Sequence, residues 1–517
     1  MPQVGIDDIA IYVPRLYLAL RDFAKLRGAD FEKLNQGLGL SAMAIPDVHE
    51  DTATMGANAV AQLIDSNSID PRRIGRIYLG TESALDGAKP TATYIVDMLQ
   101  QKYADDYGSG SFGHCDVIDL TFACIGAVDA LHNMLDWVAR GGVEEDRVGI
   151  VAFADHAKYD LGSSGEYTQG AGGGAILIKH NPRLLAIADI WGVATTPVHD
   201  FFKPRREIPV RSMLEGVFEL VEQSGEAVAE GLVDKVLNAL PVSGNSKVQP
   251  FANETIVLHR DTPIFDGQFS NRCYAEGVKD AFADFANKAA CSGRLDPERD
   301  KPLTDQWSRL VVHLPYAYQG KRMLPDVFQL DRSHLPEWQA IVADIGSAPV
   351  AEHYADSPEG IEDFAKAKDQ YRRSLANTPQ FRAFVERKLE KSQRASSLVG
   401  NQYTGSIFLA LVSVLESDYQ EQIDLRGEML GFCGYGSGAK AKVFEGEVQD
   451  HWQQVAAKFR LFERLADRHA IDAVAYESLH RGVSKKSFLG PRKEFVLLGV
   501  GLDRGLEGQR SYAWVDD

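Results

Sequence analysis

Residues 117–139 read VIDLTFACIGAVDALHNMLDWVA. The first four are a short apolar run of the kind that forms a buried strand. From Ile125 the apolar positions recur at three and four, which predicts a helix to Ala139. The chain passes from one to the other through Ala-Cys-Ile-Gly-Ala, so the thiol of Cys124 lies near a helix N-terminus. There the unpaired N–H groups and the helix dipole favour a thiolate, and Gly126 permits close backbone approach. A free cysteine is also among the most buried residue types. This segment alone therefore leaves two readings open, a nucleophile and a small core residue.

The strand-then-helix rhythm continues outward. Ile6–Tyr12 alternates and stops before Pro14, as a strand does. Asp51–Ile64 starts on a capping residue and carries helical apolar spacing. Ile74–Gly80 reads as a strand, Thr91–Leu99 as a helix, Val148–Ala154 as a strand, and Gly172–Ile178 as a strand with a glycine-rich start. This pattern predicts a mainly parallel sheet covered by helices. A second α/β region begins near Leu184. It has strands at Leu310–Leu314, Glu428–Cys433 and Phe495–Val500, a helix at Tyr403–Leu415, and a glycine-rich turn at Gly434–Gly438. Residues 206–260 and 325–391 break the rhythm and read as insertions with solvated, charged helical faces.

Bulk properties narrow the class. At 517 residues the chain exceeds one simple core, so two halves are expected. A net charge of −18 argues against general nucleic-acid binding, although a local basic pocket could still take an anionic substrate. Five cysteines without a CxxC pair argue against a disulfide scaffold or a zinc site. The N-terminus lacks the apolar core of a signal peptide, and no apolar run approaches the ~18 residues of a membrane span. A cytoplasmic protein with reduced thiols is expected, with no nucleic-acid or membrane partner.

Four further sites could carry chemistry. Glu82, in YLGTESALDGAKP, follows a strand end, where sites form in α/β sheets. A Glu shielded from water can act as acid and base near neutral pH, and a solvated turn carboxylate is the alternative. His313, in RLVVHLPYAYQGKRM, ends an apolar strand, as a working histidine or a satisfied core one would. Asn401, in VGNQYTGSIFLAL, is placed for polar work or for capping the next helix. The GYGSGAK run at 434–440 could cradle an anion or simply turn a corner.

Singly these signals are weak, but their order is informative. The chain reads IYVPR at 11–15, GLGL at 37–40, GTES at 80–83 with Asp86, and ACIGA at 123–127. It continues with ADHAKY at 154–159, GEYTQGAG at 165–172, HDFFKP at 199–204 and FDGQFSNRCY at 265–274. HLPYAYQGKR at 313–322, GNQYTGS at 400–406 and GYGSG at 434–438 follow. In this order the strings resemble the 3-hydroxy-3-methylglutaryl-CoA synthase family of the thiolase superfamily, across nearly the whole chain.

The resemblance implies a thiolase-like α/β fold of two similar halves in a five-layered αβαβα arrangement, with residues 1–182 and 183–517 as those halves. It implies Cys124 as the acylated nucleophile, Glu82 as general acid and base, and His313 as the residue that polarises the acceptor. Asp86, Asp155, Tyr159, Thr168, Asp200, Tyr274, Lys321, Asn401, Tyr403, Ser406 and Gly436 match substrate-site positions. The implied substrates are acetyl-CoA and acetoacetyl-CoA, used without metal or redox cofactor by a homodimer on the mevalonate pathway. Departures concern the acceptor. Tyr318 stands where the family usually has a CoA-contacting lysine, with Lys321 close by. Lys203 replaces an arginine, and GAGG replaces GAGA at 170–173. Another 3-ketoacyl-CoA, or a 3-ketoacyl chain on an acyl carrier protein, is therefore a rival acceptor. A non-catalytic partner subunit is a third reading, opposed by the joint presence of Cys124, Glu82, His313 and Asn401.

Overall fold

A computed structural model describes residues 3–141, 147–239, 255–259, 261–294, 301–503 and 505–516. The chain forms two compact units, one of residues 1–200, 266–499 and 511–517, the other of 201–265 and 500–510. In the smaller unit, Arg205–Pro209 pairs antiparallel with Thr255–His259, and the helices Val210–Gln223 and Leu232–Ala239 lie between them in sequence. Of the stretch expected as an insertion at 206–260, residues 240–254 and 260 lie outside the described residues.

The larger unit is built on a ten-stranded sheet. Nine strands follow the order Trp307–Val312, Met429–Gly436, Lys440–Val448, Leu185–Ile187, Val4–Tyr12, Gly170–His180, Val148–Ala157, Ile74–Gly80 and Asp116–Leu120. Gly192–Thr195 also pairs with Lys440–Val448. Leu185–Ile187 bonds to both Val4–Tyr12 and Lys440–Val448, and so joins two groups of strands. Each group repeats one pattern: a parallel pair, then two antiparallel steps. In the first, Ile74–Gly80 lies parallel to Val148–Ala157, which is antiparallel to Gly170–His180, itself antiparallel to Val4–Tyr12. In the second, Trp307–Val312 lies parallel to Met429–Gly436, which is antiparallel to Lys440–Val448, itself antiparallel to Leu185–Ile187. Glu82 and His313 thus follow equivalent strands.

The sheet is mixed, not mainly parallel as the sequence pattern predicts. Buried strands read as continuous apolar runs whichever way they point, so direction is absent from the pattern. The 434–438 run also differs from a simple turn. Gly434 and Gly436 continue the strand, and the reversal into Lys440–Val448 falls after them.

Local chemistry explains the helices. Asp51 accepts Thr54 N at 2.9 Å while Thr54 Oγ1 accepts Asp51 N at 2.7 Å, a capping box that starts Thr52–Asn67. Asp119, on the strand leading to Cys124, accepts Thr91 N and Ala92 N and so caps Thr91–Tyr107. Ser406–Gln420 is buried from Ser406 to Asp418, and its Phe408 stacks on Phe153 with ring centroids 5.2 Å apart. Helices within 325–391 are amphipathic: Phe328, Trp338, Leu375, Phe381 and Phe384 join the main core while the opposite faces stay in water. Among the described residues no helix is long and apolar enough to cross a membrane.

The end of Ile74–Gly80 lies hard against the Cys124 helix. A methyl group on Gly80 would fall 2.3 Å from Ala127 Cα. Gly80→Ala should cost about 2 kcal/mol or more, because backbone on both sides must shift. Urea unfolding checks this, and an unchanged midpoint would contradict the packing.

Candidate active site

Cys124 sits at the mouth of the Gly126–Ala139 helix and is 9% exposed. The turn before it is strained: Ala123 has φ of 37°, in the left-handed region. Ile125 N donates to Phe122 O at 3.0 Å and closes the turn. Gly436, the last residue of the Met429–Gly436 strand, faces it; a Cβ there would lie 2.8 Å from Phe122 O and 3.0 Å from Ile125 N. Only glycine leaves room for that approach. Cys124 Sγ lies 3.5 Å from Glu82 Oε2, with the thiol as donor.

Glu82 is held by Asp155, which is fully buried. Asp155 Oδ1 accepts Glu82 N at 2.9 Å and Thr81 Oγ1 at 3.0 Å. Asp155 Oδ2 accepts Thr404 N at 3.0 Å and Thr404 Oγ1 at 2.5 Å. Thr404 Oγ1 also lies 3.0 Å from Gly80 O. One carboxylate therefore ties the Glu82 turn to the Asn401 loop. Thr81 and Thr404 carry no catalytic signature in sequence, and only their shared partner reveals their role.

His313 is 1% exposed, and neither ring nitrogen finds a hydrogen-bond partner among the described residues. Burial holds its pKa down at about 3, so the imidazole is neutral at physiological pH. Its backbone is fixed by Cys433 O, which accepts His313 N at 3.0 Å, and by Tyr274, whose hydroxyl donates to His313 O at 2.8 Å. Burial, then the charges of Cys433 and Cys124, push the Tyr274 phenol up. Asp200 is buried beneath the glycine-rich run: it accepts Tyr435 Oη at 2.8 Å, Gly438 N at 2.8 Å and Ser270 Oγ at 3.3 Å.

Asn401 Oδ1 accepts Tyr403 N at 2.8 Å and Ser406 Oγ at 3.1 Å, and Asn401 N donates to Thr168 O at 3.0 Å. Asn401 is not itself a helix cap, since Gln402 and Gly405 hold those positions, and its side-chain oxygen instead pins the turn between them. Tyr159 joins this group to the reacting pair. Burial raises its pKa first, then the charges of Cys124 and Glu82, while hydrogen bonds with Thr168 and Asn401 oppose the shift. The buried Tyr403 phenol is raised by burial and by Tyr159, Glu82 and Cys124. Behind them, Gln169 Oε1 accepts Tyr159 N at 2.8 Å, and Glu166 takes a two-pronged Arg27 pair at 2.8 Å and Tyr476 Oη at 2.8 Å. The GEYTQ string thus serves as a frame for Tyr159.

Two predicted residues lie apart from this cluster. Asp86 is exposed and accepts Ala88 N and Lys89 N, which hold its carboxyl below the usual range. Lys321 is half-buried, with Nζ 3.5 Å above the Tyr318 ring. That ring in turn covers Gly39, where a Cβ would fall 2.6 Å from it. Lys321 lines a cavity of about 480 Å³ with Arg272, Arg322, Asp369, Arg372 and Arg373. His49, Glu50 and Glu494 bring ligand-type atoms within 4.8 Å elsewhere in this unit. Their carboxylates are already engaged by Tyr12, Arg15 and the amides of Asp47 and Arg492.

This arrangement, a strand-end glutamate facing a helix-mouth thiol with a neutral buried histidine on the equivalent strand, belongs to an acyltransferase of thiolase-like fold. Comparison with known proteins narrows this. The model for the hydroxymethylglutaryl-coenzyme A synthase N terminal matches residues 1–182, and that for the C terminal matches 257–486. A Haloferax volcanii hydroxymethylglutaryl-CoA synthase is 29% identical over 100% of both chains. MvaS solved in complex with 3-hydroxy-3-methylglutaryl coenzyme A is 26% identical, with a TM-score of 0.73 over 99% of both chains. The curacin-pathway HMG synthase, solved with apo donor-ACP, shares the fold at 19% identity and TM-score 0.68, over 99% of this chain and 100% of that one. The chain belongs to the hydroxymethylglutaryl-CoA synthase family. It is an acyltransferase that joins an acetyl group to the ketone of a 3-ketoacyl thioester.

Because His313 is depressed from 6.5 to about 3, the folded state resists its protonation while the unfolded chain does not. Its contribution to stability is whole above pH 6.5 and is lost as pH falls toward 3. Replacing it by Asn should flatten the acid limb of unfolding stability by up to one proton. Urea titrations at several pH values read that slope, and equal slopes would contradict the burial. Asp155→Asn should lower turnover by about tenfold or more through displacement of Glu82.

Proposed function

We propose that the protein condenses a Cys124-bound acetyl group with acetoacetyl-CoA to give 3-hydroxy-3-methylglutaryl-CoA. The observation carrying this reading is the 3.5 Å approach of Cys124 Sγ to Glu82 Oε2. At that distance one carboxylate can serve both the thiol and an acetyl group attached to it.

The Cys124 thiol gives up its proton, the thiolate attacks the acetyl-CoA carbonyl, the carbon–sulfur bond to CoA breaks, and CoA leaves as its thiol carrying that proton. Glu82 carboxylate then removes a proton from the acetyl methyl, and the enolate oxygen is stabilised by backbone N–H groups of the Cys124 turn and the 434–438 run. The enolate carbon attacks the C3 ketone of the acceptor. His313, neutral, donates an N–H bond to that ketone, which accords with its two unmet ring nitrogens. Glu82 returns its proton to the new alkoxide. Water then hydrolyses the Cys124 thioester, releasing a carboxylate and restoring the thiol. Asn401, Tyr159, Thr168, Tyr403 and Ser406 shape the acceptor side, while Asp155, Asp200 and Tyr274 hold the reacting groups in place.

Delivery as a CoA thioester is favoured by the cavity beside Lys321. Among the described residues Lys321, Arg322 and Arg373 have no carboxylate partner at ion-pair distance, so their charge is available to phosphates. A carrier-bound acceptor is the second reading, because the curacin-pathway relative was solved with a donor carrier protein. A homodimer is supported by Asp116–Leu120. It is the outermost strand of the sheet, and Ile118 is 42% exposed beside the strand's free edge. Five free thiols accord with a cytoplasmic setting.

Cys124→Ser should abolish labelling by [14C]acetyl-CoA and turnover together. Glu82→Ala should still take up label but release no condensed product, a loss of about a thousandfold or more. Mass spectrometry of products from acetyl-CoA with CoA-bound and carrier-bound 3-ketoacyl acceptors reads both points. Normal turnover in either variant would contradict the assignment.

A further inference from the structure

An ionic cluster beside the thiol takes no part in the steps above. Asp129 lies in the first turn of the Gly126–Ala139 helix. Its two oxygens meet Lys440 Nζ at 2.6 Å and Lys442 Nζ at 2.9 Å. The two lysines are alternate residues of one strand, so both project from the same face toward the helix. Lys442 Nζ also lies 3.0 Å from His132 Nδ1, and the His132 ring stacks on Trp191 with centroids 4.1 Å apart. Side chains of Lys440, Lys442 and Asp129 are only 17%, 9% and 13% exposed, so water screens the cluster weakly.

Lys440 has a second contact. Its Nζ lies 4.0 Å above the centroid of the Phe122 ring. Phe122 opens the turn that presents Cys124, and Asp129 stands just beyond the thiol on the helix. Lys440 thus grips the turn on both sides. Between the grips Ala123 holds its left-handed φ of 37°. Such a conformation is strained and persists only where surrounding contacts over-determine it. Gly436 supplies one of those contacts from below, against Phe122 O and Ile125 N. Two ammonium groups meet the Asp129 carboxylate here, and the Asp136 carboxylate also acts on Lys442 and His132. Burial and then Lys442 push His132 toward its neutral form. Among the described residues, the groups that act on the thiol from other elements include the Glu82 carboxyl and the phenols of Tyr159, Tyr274 and Tyr403.

We infer that Lys440 is a positioning residue for Cys124. It clamps the strained 122–125 turn between Phe122 and Asp129, and its positive charge favours the thiolate. The inference rests on Cys124 being the acylated nucleophile.

The test follows two readouts on the whole protein: the pre-steady-state burst of acetylation from acetyl-CoA, and the pH dependence of Cys124 alkylation by iodoacetamide, read by mass spectrometry. Lys440→Met should slow the burst about tenfold and move the alkylation midpoint up by about half to one pH unit. Lys440→Arg keeps charge and reach, and should restore both. Asp129→Asn loosens the clamp but removes a negative charge, so it should slow the burst while moving the midpoint down. A role in folding alone would not give midpoint shifts of opposite sign, and Asp129→Asn keeps the test open if Lys440→Met does not fold. The inference is overturned if Lys440→Met matches wild type on both readouts, if Lys440→Arg is as impaired as Lys440→Met, or if Asp129→Asn moves the midpoint upward. A wild-type protein that never acetylates would instead overturn the nucleophile assignment itself.

Discussion

The Asp155 carboxylate is the point on which the site depends. It has no exposed surface, and a buried charge is tolerable only when its lone pairs are met. The donors that meet it among the described residues include the Thr81 hydroxyl, the Glu82 amide, the Thr404 amide and the Thr404 hydroxyl. These come from the end of one strand and the start of a distant helix, 249 residues apart for Thr404. The same bonds that make the charge bearable set the distance between Glu82 and the Asn401 loop. Loss of any donor would therefore be felt as misplacement, not only as lost stability.

Around that tie the two strand groups place complementary chemistry at matching ends. Glu82 follows Ile74–Gly80, and His313 follows Trp307–Val312. Glu82 is partly exposed. His313 is sealed from water, and burial keeps its imidazole neutral. Burial alone separates the two environments. The strained Ala123 turn, with Gly436 pressed against it, then brings the thiol to the carboxylate.

Much of the site was legible in order and type. Cys124, Glu82, His313 and Asn401 stand at element junctions that the hydrophobic pattern marks, and the structure joins Tyr159, Thr168, Tyr274, Tyr403 and Ser406 to them. Asp86 was not separable from the rest, because an exposed turn carboxylate and a buried one look alike in a string. Thr81 and Thr404 were silent for the opposite reason: a threonine gains its role only from the acceptor it meets. Helices within 325–391 read as charged because their outer faces are, while Phe328, Phe381 and Phe384 on the inner faces complete the core.

The sequence by itself determined which segments become strands and helices, where glycine is required, and which nucleophile, base and imidazole are available. Apolar periodicity and local capping are short-range properties, and the chain writes them directly. Strand direction, the mixed sheet, the neutral state of His313, the Asp155 tie and the Lys440 clamp on the Cys124 turn were decided only by tertiary structure. Each depends on desolvation or on a partner far along the chain, and neither exists until the two strand groups close on one another.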